Sequence, residues 1–339
     1  MDLNTIWFIL VGVLFTGYVM LDGFDLGVGA LHLFTKGDTE RRTMLNAIGP
    51  VWDGNEVWLV TGGGALFAAF PEVYATVFSG FYEAFFLLLF GLIFRAVAIE
   101  FRSKHPHSMW RKGWDISFAC GSIASAFLIG VAMGNVVWGI PLDTNHEYTG
   151  TFLTQLNPYS LFMGVSTVAL FAMHGNIYLI MKTEGELQEK LRRWVKITIP
   201  IFVVCFLIFG ILTPFVCPQI KAAFIDRPIP LIITFTLALL VVANIPREIH
   251  KGREFNAFLS SCGCMTFLMM TFGISVYPNM VFSNPDLANS LTIYNGSSTD
   301  KTLGFMLIIA IIGVPIVLTY TACVYYIFRG KVVLTDESY

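Results

Sequence analysis

Long apolar runs recur along this 339-residue chain, and polar residues gather between them. About 20 consecutive apolar residues are what a helix needs to cross the hydrocarbon of a bilayer. The pattern predicts nine such helices, near residues 6–33, 54–71, 74–100, 114–137, 159–181, 196–217, 229–245, 256–277 and 303–328. It predicts one integral membrane domain over 1–339, all-α and polytopic. Pro158, Pro228 and Pro230 fall at or near helix starts, where a missing N–H is tolerated. Pro200, Pro214, Pro278 and Pro315 are expected to bend or end helices.

Lysine and arginine then orient the chain. Seventeen of the 21 follow the first, third, fifth, seventh and ninth helices. Lys221, Arg227 and Lys301 lie on the opposite side, and Arg95 sits inside the third helix. Cytoplasmic loops carry the basic excess, so the N-terminus is expected outside and the C-terminus in the cytoplasm. The first basic residue, Lys36, follows the first apolar run, whereas a secretory signal carries its charge ahead of it. That run reads as a retained span. The composition is 55% hydrophobic and only 13% charged, against about 25% charged in soluble domains. A net charge of −2 without a basic, aromatic-laced patch sets nucleic acid aside. No phosphate-binding loop, C-x-x-C-H haem attachment or metal-ligand set is present. Cys120, Cys205, Cys217, Cys262, Cys264 and Cys323 fall in or at the ends of apolar runs and read as buried free thiols.

Carboxylates inside apolar helices are costly and commonly functional. In "GYVMLDGFDLGVGAL", Asp22 and Asp25 share a helical face, about 25 Å along the first helix at 1.5 Å per residue. Gly23 and Gly27 form a G-x-x-x-G pair that admits a close backbone, some of it the partner's. The glycines at 62–64 are expected to act similarly. The two aspartates either hold a shared, mobile proton or pair with basic residues of the following loop. In "VWDGNEVW", Asp53 and Glu56 resemble a helix cap and capping box, and Trp52 and Trp58 resemble interfacial anchors. Yet the third helix ends with Arg95 and Glu100 at the same depth. Asp22, Asp25, Asp53, Glu56 and Glu100 thus form a candidate acidic layer with Arg95 as counter-charge. Glu83 lies at the opposite end of that helix, where it is expected to face a partner or another helix. His174 and His32 are the candidate haem ligands, but a lone histidine within a helix is more often a hydrogen-bonded core or interface residue. No facing histidine pair is evident.

The segments "LDGFDLGVGAL", "DTERRTMLNAIGPVWDGNEVWLVTGGGALFAAFP", "YATVFSGFYEAFFLLLFGLIFRAVAIEFRSK", "WRKGWDISFACGS" and "GVAMGNVVWGIP" resemble subunit II of the cytochrome bd quinol oxidases. The likeness is dense over 12–141, resumes in "LNPYSLFMGV" and "SLTIYNGSS", and fades in the last helix. It implies two four-helix bundles plus a peripheral helix, packed pseudosymmetrically on subunit I. It implies a bacterial cytoplasmic membrane enzyme that oxidises quinol and reduces O2 to water. The low-spin haem b, high-spin haem b and haem d are then held by subunit I. A structural quinone occurs in some members, and one or two small single-helix subunits are further candidate partners, besides lipid. Carried over by motif, Asp25, Asp53 and Glu100 are proton-channel residues; relatives can carry Asp where Glu100 stands. Trp52, Trp58, Arg95, Gly23 and Gly27 are then expected at the subunit or haem interface. Two other classes fit the buried acids, a proton-coupled secondary transporter and a structural scaffold with no proton role.

Overall fold

The computed structural model describes residues 2–335 and 338. Twelve α-helices run through them: α1 (Leu3–His32), α2 (Asp38–Ile48), α3 (Trp52–Ala69), α4 (Pro71–Gly80), α5 (Tyr82–Phe101), α6 (Ser108–Trp138), α7 (Pro158–Lys182), α8 (Gly185–Val216), α9 (Pro218–Asp226), α10 (Pro228–His250), α11 (Glu254–Val276) and α12 (Asp300–Ile327). A short antiparallel hairpin, β1 (Asn279–Val281) and β2 (Leu291–Thr292), lies in the loop before α12.

Among the described residues eight helices, not nine, are long and apolar enough to cross a membrane. The remaining expected span is α3. At 18 residues it is about 27 Å long, and Asp53, Asn55 and Glu56 in its first turns dilute its apolar content. The expected helix at 74–100 is broken at Phe81 into α4 and α5. Pro71 is the first residue of α4 and holds the preceding Phe70 out of the helical region, at φ −134° and ψ 66°. Helix α2 was read as loop because eleven residues cannot span a bilayer. It forms because Met44, Leu45, Ala47 and Ile48 are buried together while Asp38, Glu40, Arg41 and Arg42 remain nearer the surface. Helix α8 starts eleven residues ahead of expectation, its first three turns being charged. Pro200, Pro214 and Pro315 lie inside helices and do not end them.

Helix α1 is the hub, packed against α3, α6, α7 and α11. Its tightest crossing is with α7. A Cβ added to Gly27 would lie 1.8 Å from the Phe171 carbonyl oxygen, and one added to Gly175 would lie 2.5 Å from the Gly27 carbonyl carbon. The two backbones touch, which only glycine allows. A Cβ added to Gly23, one turn earlier on α1, would lie 3.0 Å from the Phe171 ring of α7. The G-x-x-x-G pair therefore packs within this chain, where contact with a partner had been part of the expectation. Of the glycines at 62–64, Gly62 meets Phe15, whereas Gly63 and Gly64 meet nothing within 4 Å. Below the crossing, Phe24 stacks on Tyr178 at 3.9 Å, and the Tyr178 hydroxyl donates to the Ala47 carbonyl of α2.

Helix α12 stands apart, with Leu303 its only buried residue. Gly27→Leu should lower the yield and melting temperature of the folded protein, since a displaced backbone costs more than the ~1–3 kcal/mol of ordinary overpacking. Gly12→Leu on the same helix, with nothing within 4 Å of its Cβ position, should have little effect. Similar melting temperatures for the two variants would rule out the α1–α7 contact as the constraint.

Candidate functional site

A guanidinium with no exposure to solvent sits at the meeting point of α1, α3 and α5. Arg95 of α5 donates through Nη2 to Asp22 Oδ1 (2.7 Å) and Glu56 Oε1 (2.5 Å). Asp22 is fully buried and Glu56 is half-buried. Charges taken out of water are tolerable only when paired, and here one cation serves two carboxylates. Tyr18, one turn before Asp22, is buried beside them.

Asp25, one turn further along α1, is fully buried and lies within electrostatic reach of Asp22, Arg95 and Glu56. Its Oδ2 accepts from Asn55 Nδ2 at 2.8 Å, and its Oδ1 has no hydrogen-bond partner. The same Asn55 nitrogen donates to the Leu21 carbonyl (3.2 Å), and Asn55 Oδ1 accepts from the Tyr325 hydroxyl of α12 (2.8 Å). Asp53 is exposed, and its charge acts on Glu56. Thus Asp53, Glu56, Arg95, Asp22 and Asp25 form one electrostatic group that runs from the surface to a buried carboxyl. Glu100, in the last turn of α5, is half-buried.

The capping reading of Asp53 and Glu56 is not what the structure contains. Val51 occupies the cap position of α3 without a side-chain cap bond, and Glu56 turns to Arg95. Of the residues expected at an interface, Arg95, Gly23 and Gly27 are buried inside this chain. Trp58 packs against α1 at Gly17, where an added Cβ would lie 2.2 Å from the indole, and Trp52 lies against the buried core of α1 and α2. Glu83 is exposed in the first turn of α5.

A further buried carboxylate carries no comparable signal in the sequence. Asp115 of α6 accepts from His32 Nε2 (2.6 Å), Arg41 Nη1 (2.8 Å) and Arg102 Nε (2.6 Å). Arg102 also reaches Asp38, which Arg111 shares. This network ties the basic end of α1 to α2, α5 and α6. Its only signal in the sequence was an aspartate at the start of an apolar run. Asn55 and Tyr325, uncharged, gave no signal at all.

His174 does not suit haem iron, whereas Nδ1 of His32 is buried with no hydrogen-bond partner among the described residues. Nε2 of His174 donates to the Met20 carbonyl (2.9 Å), and Nδ1 pairs with the Ser261 hydroxyl (2.8 Å). An axial ligand needs a free ring nitrogen directed at the metal, and both are engaged. His32 is held by Asp115 against the Phe118 ring. Among the described residues no three His, Cys, Asp or Glu side chains are grouped to hold a metal. The cysteines are free, but Cys120 and Cys323 are exposed on this chain, unlike the expected buried thiols.

The cytochrome bd terminal oxidase subunit II family model matches residues 3–328. The chain is 36% identical to cytochrome bd-I ubiquinol oxidase subunit 2 of Escherichia coli K12, over 98% of this chain and 96% of that protein. It is 36% identical to cytochrome bd ubiquinol oxidase subunit 2 of Bacillus subtilis, over 98% and 97%. Its fold matches a chain in the structure of bd oxidase from Geobacillus thermodenitrificans, with a TM-score of 0.79 over 97% of this chain and 99% of that one, at 16% identity. Helical architecture, near full-length coverage and sequence identity converge: this chain belongs to the cytochrome bd terminal oxidase subunit II family.

Proposed function

We propose that this chain is the haem-free subunit of a quinol:O2 oxidoreductase, packed against a haem-bearing subunit I, and that its acidic group feeds protons toward the site of O2 reduction. As a family member it is a multi-pass protein of the bacterial inner membrane and part of a haem-containing terminal oxidase. The single observation that carries the reading is a fully buried carboxyl, Asp25, one helical turn from the Asp22–Arg95–Glu56 ion-pair cluster, with the exposed Asp53 three residues before Glu56.

The basic loops support a cytoplasmic position for this end. The haems, two of b type and one of d type, belong on this reading to subunit I, and they supply the electron transfer and O2 chemistry. The engagement of both His174 ring nitrogens supports that assignment. What this chain's residues do is hold and pass protons. Asp53 meets water, while Arg95 holds Asp22 and Glu56 in fixed positions. Asp25, without a direct contact to Arg95, is the buried member free to change its protonation state. Glu100 joins from the adjoining end of α5. The exposed apolar faces of α3 and α5, with Val57, Val60, Phe86, Phe90 and Phe94, support a helical partner there.

In the assembled oxidase, Asp25→Asn, Asp53→Asn and Glu100→Gln should each slow quinol-driven O2 consumption per haem d, by roughly tenfold or more for Asp25, with haem content near normal. Double variants should be less than additive if the groups share one path. Unchanged turnover in all three single variants would leave the acids as structural ion pairs. Separately, His174→Ala should retain the three-haem absorption spectrum of the assembled complex. Loss of one haem with assembly intact would place a ligand here.

A further inference from the structure

We propose that Tyr325 is a positioning residue for Asp25, acting through the side-chain amide of Asn55, and that this pair confines the exchangeable proton of Asp25 to its Oδ1 atom. The inference rests on the reading of Asp25 as a proton carrier and adds how that carrier is oriented.

The direction of the Asn55 amide follows from its neighbours. One edge of it faces the Leu21 carbonyl (3.2 Å) and Asp25 Oδ2 (2.8 Å). A backbone carbonyl can only accept, so that edge is the NH2 and the opposite edge is Oδ1. Asn55 Oδ1 in turn accepts from the Tyr325 hydroxyl at 2.8 Å. The result is a polarised chain: hydroxyl to amide oxygen, amide N–H to carboxyl. Asp25 Oδ2 is therefore committed to accepting. A proton placed on Oδ2 would leave the Asn55 N–H facing a hydroxyl oxygen, a weaker acceptor than the carbonyl oxygen it meets when the proton is on Oδ1. The proton goes instead to Oδ1, the oxygen that has no partner. It enters as an O–H bond there and leaves the electron pair on Oδ1 when it departs, while Oδ2 accepts throughout.

Leu303 is the one fully buried residue of α12, and Tyr325 packs half-buried against the edge of the core. Its end of the helix is tied by Lys182 of α7, whose Nζ donates to the Phe328 and Gly330 carbonyls. This strap sets the position of the Tyr325 hydroxyl over Asn55. Without that hydroxyl, the buried amide oxygen loses its donor, while the Leu21 and Asp25 contacts still face the NH2 edge. The amide N–H is then less polarised and less firmly placed, and it distinguishes the two Asp25 oxygens less sharply.

The test uses the assembled oxidase carrying Tyr325→Phe, Asn55→Leu or both, with haem d content as the assembly control. Two quantities are read: O2 consumption per haem d, and the infrared band of the protonated carboxyl that is assigned by its loss in Asp25→Asn. Tyr325→Phe should slow turnover by roughly threefold to tenfold, the effect of one hydrogen bond, and should move the carboxyl band. Asn55→Leu should slow it at least as much. The double variant should be no slower than Asn55→Leu, because Tyr325 acts only through the amide. If Asn55→Leu does not assemble, Asn55→Ala takes its place in the same cycle. An unmoved band with wild-type turnover in Tyr325→Phe overturns the proposal, as do factors that multiply in the double variant. Should Asp25→Asn itself turn over normally, the proton-carrier reading fails as well; slow Asp25→Asn beside unaffected Tyr325→Phe overturns the positioning alone.

Discussion

One buried guanidinium constrains this subunit more than any other group. Arg95 has no exposure to solvent, and an arginine cannot discard its charge at any ordinary pH. Removing one partner from such a buried pair typically costs about 3–5 kcal/mol. The helices that supply the carboxylates must therefore meet at Arg95. That requirement sets the rotation of α1 about its axis, since Asp22 must face α5, and it sets where α3 begins, since Glu56 lies in its second turn. The glycine contact between α1 and α7 answers the opposite face of the same helix. With one face tied by charge and the other by backbone contact, α1 has little freedom to turn, and Asp25 inherits its position from both.

The same constraint explains why α3 is the least apolar of the expected spans. A helix that must bring Asn55 and Glu56 to a buried cation carries polar residues where lipid would favour leucine. Its short length and dilute hydropathy are thus consequences of the site. The chain then breaks at Phe70–Pro71 and continues as the ten-residue helix α4.

Much of this was legible in the chain. Apolar runs located nearly every long helix, because burial in lipid demands sustained hydropathy and little else. The acidic layer was visible because carboxylates are rare in such runs, and Arg95 was the obvious counter-charge. What was not legible depended on contacts between distant segments. Helix α2 is amphipathic and short, so a search for spans passes over it. The capping interpretation of Asp53 and Glu56 failed because local spacing carries no knowledge of a cation 39 residues away. Asp115 lies at the edge of an apolar run, where an aspartate is unremarkable until three basic side chains are seen to converge on it. Asn55 and Tyr325 are 270 residues apart and uncharged, so only their adjacency in space gives them meaning.

The two buried carboxyls of α1 illustrate how one helix face supports different tasks. Asp22 is bonded directly to Arg95. Asp25 is one turn away, deprived of water to the same degree, yet its only direct polar contact is a neutral amide. Arg95 therefore sorts the acids by contact: it bonds Asp22 and Glu56 directly and leaves Asp25 without an ion pair of its own. A second arginine beside Asp25 would secure the helix contact more firmly and, by the same bond, deprive the carboxyl of its ability to exchange a proton.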